Sequence, residues 1–164
     1  MNPIRTAALA ALAAALLPGL AACSKEANAP ADAAATASAS AGLTVTNARV
    51  VLPPVAGNPA AVYFDLAYTG APGVTLDSVD VEGAGMTMIH DYAETAGKAQ
   101  MVMADAVPLA EGTPLSFAPG GLHVMAMDPT DALKAGGTAK VTFTLSNGMT
   151  ATIDAPVRAA GDER

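Results

Sequence analysis

From Leu43 onward the chain alternates apolar and polar residues in short runs broken by glycine and proline, the period-two signature of half-buried strands. Leu43 to Leu52 alternates imperfectly and stops at Pro53-Pro54, and Ala60 to Tyr68 is apolar and aromatic and stops at Thr69-Gly70. Val74 to Val81, Thr113 to Phe117, Gly121 to Met127, Thr138 to Leu145 and Thr150 to Val157 read the same way. Strands this short, with turns this frequent, predict an all-β sandwich or barrel. Helical spacing is scarce, and Asp131 to Lys134 has room for one helical turn at most. Asn147-Gly148, between two alternating runs, predicts a two-residue hairpin. Pro119-Gly120-Gly121 predicts a turn that starts a strand at His123.

The first 42 residues lack this pattern. Met1 to Ala22 carries one early positive charge, Arg5, then an Ala/Leu stretch from Ala7 to Leu17 and small residues before Cys23. That layout predicts a secretory signal, its apolar core too short for a comfortable membrane span. Leu20-Ala21-Ala22-Cys23 resembles a bacterial lipobox, in which the signal is cut before a cysteine that then carries lipid. The expected organisation is a signal peptide at 1–22, lipidated Cys23 and a flexible Ala/Ser/Pro tether at 23–42, a β domain at 43–158, and a short polar tail at 159–164. The expected location is periplasmic and membrane-anchored, with Ser24 rather than an aspartate favouring the outer membrane.

Charge and cysteine content narrow the function. With Arg5 removed, seven basic residues face fifteen acidic ones, a balance that argues against nucleic acid and against electrostatic docking to anionic lipid. Cys23 is the sole cysteine, so a lipidated chain keeps no thiol for a disulfide, a redox pair or a thiolate metal ligand. There is no G-x-S-x-G, no H-E-x-x-H and no phosphate-cradling Gly-Lys motif, and carboxylates are scattered singly. The chain does not read as an enzyme.

Sulfur and imidazole, by contrast, are concentrated. Six of the eight methionines lie between Met86 and Met127, together with both histidines. Met86, Met88 and His90 alternate with Thr87 and Ile89, Met101 and Met103 flank Val102, and His123, Met125 and Met127 flank Val124 and Ala126. On extended strands this spacing sends each set to one face. A single alternating methionine pair is ordinarily core packing, but both histidines fall inside such segments. Thioether with imidazole is a ligand set suited to Cu(I). If Glu94 to Gly97 forms a four-residue hairpin loop, His90 stands opposite Met101 and Met88 opposite Met103, within about 4.5–5.5 Å between Cβ atoms. His123 and Met125, two apart on one strand, can supply the other side of a site.

His90, ten residues, Met101, twenty-one residues, then His123-x-Met125 resembles the H-x10-M-x21-H-x-M arrangement of the periplasmic copper chaperones called PCu(A)C. The similarity extends over most of Leu43 to Val157, including Ala60-Ala61-Val62-Tyr63 and Pro119-Gly120-Gly121-Leu122-His123. It implies a cupredoxin-like Greek-key β-sandwich or barrel that binds one Cu(I) through His90, Met101, His123 and Met125. It further implies delivery toward the Cu(A) centre of cytochrome c oxidase, through oxidase subunit II directly or another periplasmic copper chaperone, by a monomer. Many members carry a methionine shortly after the first histidine, where this chain has Asp91 and Tyr92. Some have a His/Met-rich tail holding Cu(II), whereas Ala159 to Arg164 has neither residue type, and no separate Cu(II) site is expected.

Two other functions fit less well. A blue-copper electron carrier needs a cysteine thiolate beside two histidines, and Cys23 lies outside the domain. A membrane-anchored β-sandwich lipoprotein that binds a protein or envelope component, with its methionines in the core, predicts no copper affinity.

Overall fold

The computed structural model describes residues 38–40, 42–95 and 97–162; the signal, Cys23 and most of the tether lie outside them. Strands form where alternation was read: β1 (Ser38–Ser40), β2 (Leu43–Val51), β3 (Ala60–Tyr68), β4 (Thr75–Val81), β5 (Met86–Thr95), β6 (Lys98–Met103), β7 (Val107–Pro108), β8 (Leu115–Phe117), β9 (His123–Met127), β10 (Thr138–Leu145) and β11 (Thr150–Arg158). No helix occurs among the described residues. Asp131 to Lys134 follows a hydrogen-bonded turn, Leu133 N–H donating to the Thr130 carbonyl at 3.0 Å.

The strands follow one path, β6-β5-β9-β3-β2-β11-β10-β4-β7, with β1 on β2 and β8 on β3. All neighbours are antiparallel except β2 and β11, where Val50 pairs with Val157 and Val51 with Arg158 in parallel. The open path folds back over a single core, since β4 lies against β5 and Phe64 of β3 meets Phe143 of β10 edge-on at 5.0 Å. Phe64 also stacks on Phe117 of β8 at 4.2 Å. Alternation explains which side faces in: Val62, Phe64, Leu66 and Tyr68 of β3, Val141, Phe143 and Leu145 of β10, and Ile153, Ala155 and Val157 of β11 are all buried. Full burial of each large apolar side chain contributes about 1.5–3 kcal/mol, enough for this core to specify which face of every central strand turns inward.

Irregularities have local causes. The β2–β3 register shifts between Thr46 and Arg49, where Asn47 takes φ 55°, a left-handed conformation that asparagine tolerates better than most residues. Asp65 of β3 holds this bulge, accepting from Asn47 Nδ2 at 2.7 Å and from Ser116 Oγ of β8 at 2.7 Å. Those two hydrogen bonds, followed by the Arg49 charge, hold the Asp65 carboxyl below the usual aspartate value despite some desolvation.

Two turn expectations are corrected. The Asn147-Gly148 hairpin has a three-residue loop: Gly148 N–H donates to Leu145 O, and Leu145 N–H to Met149 O, each at 2.9 Å. A two-residue type I′ turn needs positive φ at both central residues, and here Gly148 alone of the pair has it, at 81°. Asn147 instead turns its side-chain oxygen to the Met149 N–H at 3.0 Å. The β5–β6 loop is shorter than the four residues expected, because Thr95 pairs with Lys98 and Gly97 takes φ 74°.

Candidate metal centre

The shorter loop moves the register by two residues. His90 stands opposite Met103, and Met101 stands opposite Tyr92, so the expected pairing of His90 with Met101 and of Met88 with Met103 does not occur. Met101 is instead the diagonal neighbour of His90, a separation of about 7–8 Å that long side chains still bridge. On the other side of β5 the register runs Met86 to Met127, Met88 to Met125 and His90 to His123. Directly paired residues share a face, so one side of the β6-β5-β9 ribbon carries Met101, Met103, Met86, Met88, His90, Tyr92, His123, Met125 and Met127.

That side is the outer one. Ile89 of β5 and Val124 and Ala126 of β9 alternate with the sulfur and imidazole positions and are buried in the core. The methionines are therefore not core packing: Met86 is 56% exposed, Met101 45% and Met103 61%. His123 is the exception, 7% exposed although it points to the same face. Two rings cover it, His90 at 5.9 Å between centroids and Tyr92 at 5.8 Å.

Both imidazoles are prepared to coordinate. His123 Nδ1 lies 2.8 Å from the Gly121 carbonyl, and a carbonyl only accepts, so Nδ1 donates and the neutral ring presents a bare Nε2. The Pro119-Gly120-Gly121 turn sets this up, with Gly120 at φ 84° and Gly121 N–H bonded to Ala118 O at 3.1 Å. His90 Nδ1 is buried with no hydrogen-bond partner among the described residues. An unpaired buried polar atom costs about 1–3 kcal/mol, and a coordinated metal would satisfy it. No three of His, Cys, Asp and Glu converge among the described residues, so a metal on this face needs thioether sulfur.

Of the four residues singled out in the sequence, the ribbon brings His90, His123 and Met125 together on adjacent strands and holds Met101 across β5 from them. One neighbour of the histidines was missed and one was paired wrongly. Tyr92, noted only as the replacement of a methionine, forms a wall over His123, and Met103 is the direct neighbour of His90. Parity was the available signal for both, since Tyr92 continues the series from Met86 by twos.

The family model described as putative lipoprotein LpqE-like matches residues 43–157. A putative lipoprotein, Lxx21020, of Leifsonia xyli subsp. xyli (strain CTCB07) is 28% identical over 146 residues, covering 88% of this chain and 86% of the relative. Among solved structures, the copper-bound PCuAC domain from PmoF2 superposes with a TM-score of 0.63 at 22% identity, over 76% of this chain and 98% of that one. The solution structure of Cu(I)-DR1885 from Deinococcus radiodurans superposes with a TM-score of 0.58 at 25% identity, over 71% of this chain and 78% of that one. The all-β, cupredoxin-like architecture expected from the sequence is therefore the observed one.

Proposed function

From the premise that this chain belongs to the LpqE-like putative lipoprotein family, we propose that it is a Cu(I)-binding metallochaperone whose ion is held by His90, Met101, His123 and Met125. The carrying observation is the buried, unpartnered Nδ1 of His90 directly across from His123, on a face otherwise lined with sulfur. The solved relatives named as copper-bound and Cu(I)-loaded support the same ion.

Copper is cargo here and the chemistry is ligand exchange. Cu(I) is d10 with weak geometric demands, so neutral thioethers and imidazoles hold it without the deep trap that thiolates create. The four ligands are unequal. His123 is buried and oriented by the Gly121 carbonyl, whereas Met101 sits on the exposed edge strand β6. An acceptor displaces Met101 first and takes the ion from the rigid His90–His123 side last. The acceptor would be the Cu(A) site of cytochrome c oxidase subunit II or another periplasmic chaperone carrying thiolates. Cys23 would anchor the protein to the membrane through lipid, with 23–42 as the tether that gives the domain its reach. Anaerobic titration with Cu(I) against a competing chelator tests the reading: one tightly held ion on the quartet is expected, and absence of Cu(I) binding would return the protein to the class of lipoproteins that bind a macromolecule.

A further inference from the structure

The quartet leaves Met86, Met88 and Met127 without a role. Their placement is not random. Met86 lies directly opposite Met127, and Met88 directly opposite Met125, so three thioethers occupy adjacent corners of the outer face, one step along β5 and β9 from the histidines. Directly opposed residues bring Cβ atoms within about 4.5–5.5 Å, and a two-residue step along a strand is about 6.6–6.8 Å. Methionine side chains span both gaps. The end of the ladder is fixed by backbone, Gly85 N–H donating to the Met127 carbonyl at 2.9 Å.

Packing does not account for these residues. Met86 exposes more than half its surface and Met88 and Met127 are half-buried, while the core side of the same strands is filled by Ile89, Val124 and Ala126.

We propose that Met86, Met88 and Met127 form a second, thioether-only site for a soft monovalent cation, taking Cu(I) and exchanging it with the histidine site through Met125. Met125 is the bridge because it faces Met88 across the strand pair and is also the diagonal neighbour of His90. Three neutral sulfurs suit Cu(I) or Ag(I) and offer nothing to harder divalent ions. Without imidazole, this site has no ligand that binds a proton in mild acid. The exposed ladder is thus an entry position, and the half-shielded histidine site a holding position. This proposal rests on the chaperone reading for the first ion and is separable from it.

The test uses the full chain and Ag(I) as a redox-silent soft probe, with stoichiometry read by native mass spectrometry and repeated with Cu(I) under anaerobic conditions. The wild type should bind two ions. Met86→Leu/Met127→Leu keeps apolar bulk on an exposed face and should bind one, its affinity within about twofold of the tighter wild-type site. His90→Ala/Met101→Leu should also bind one, with an affinity unchanged between neutral pH and pH 5. A wild type that binds a single ion, lost in His90→Ala/Met101→Leu and untouched in Met86→Leu/Met127→Leu, overturns the second site and leaves the chaperone reading intact. No binding by the wild type overturns both.

Discussion

At the scale of the residue, ligand and packing roles separate by what leucine can replace. Met101→Leu and Met125→Leu keep bulk and remove sulfur, and neither residue belongs to the core, so folding should survive. Loss of an outer-sphere partner alone typically lowers metal affinity by about 10- to 100-fold; loss of a ligand should cost at least that, measured by Cu(I) competition titration. Equal affinity in wild type and both variants would remove these methionines from the site. That the methionines and both histidines share one face was legible in the sequence, because i, i+2 spacing survives any register. The partner of His90 was not. Every residue of β6 is exposed, so the β5–β6 hairpin has no buried face to set its register, and Glu94 and Thr95, polar enough to read as loop, pair with Ala99 and Lys98 instead.

At the scale of the element, the strands were read nearly to the residue because each central one alternates over a buried core. What alternation hides is the bulge in β2, where polar Asn47 and Asp65 gave no sign that they would meet. That contact predicts an acid response. The Asp65 pKa in the folded protein is depressed below its reference value of 3.8, so its contribution to stability is fully present above that pH and is lost as pH falls through the folded value. Thermal melts from pH 5 down to about pH 2.5 should show the wild type losing more stability than Asp65→Asn. The difference will be small, because the group is largely solvated and surface screening weakens such interactions. Parallel loss in both proteins would remove Asp65 from the acid response. The cross-strand pair Lys140–Asp154, 3.0 Å apart on the surface, should by contrast matter little to stability, because solvent screens so exposed a pair.

At the scale of the whole molecule, the expected division into signal, tether and domain makes a prediction of its own. Cys23→Ala should move the protein from the detergent phase to the aqueous phase in phase partitioning while leaving Cu(I) affinity unaltered, since Cys23 lies twenty residues before the domain begins at Leu43. Retention of the variant in the detergent phase would dismiss the lipid anchor. The fold class was legible because turn spacing alone selects an all-β sandwich. Its strand order was not, since periodicity says nothing about which distant strand a given edge will find, and the β2–β11 parallel pair joins the two ends of the domain.

That pair has a kinetic consequence. Val50 meets Val157 and Val51 meets Arg158, so the sheet that carries the methionine and histidine face is completed by the last strand of the domain. Contacts so far apart in the chain must overcome loop-closure entropy before any other interaction rewards them, and all-β sandwiches of high contact order refold in about milliseconds to seconds. Such a chain stays pliable until its C-terminal strand arrives. Stopped-flow refolding should show this slow, single closure, and a chain ending before Thr150 should fail to reach the native state. Native-like refolding of that truncated chain would mean that the methionine and histidine face assembles without its distant support.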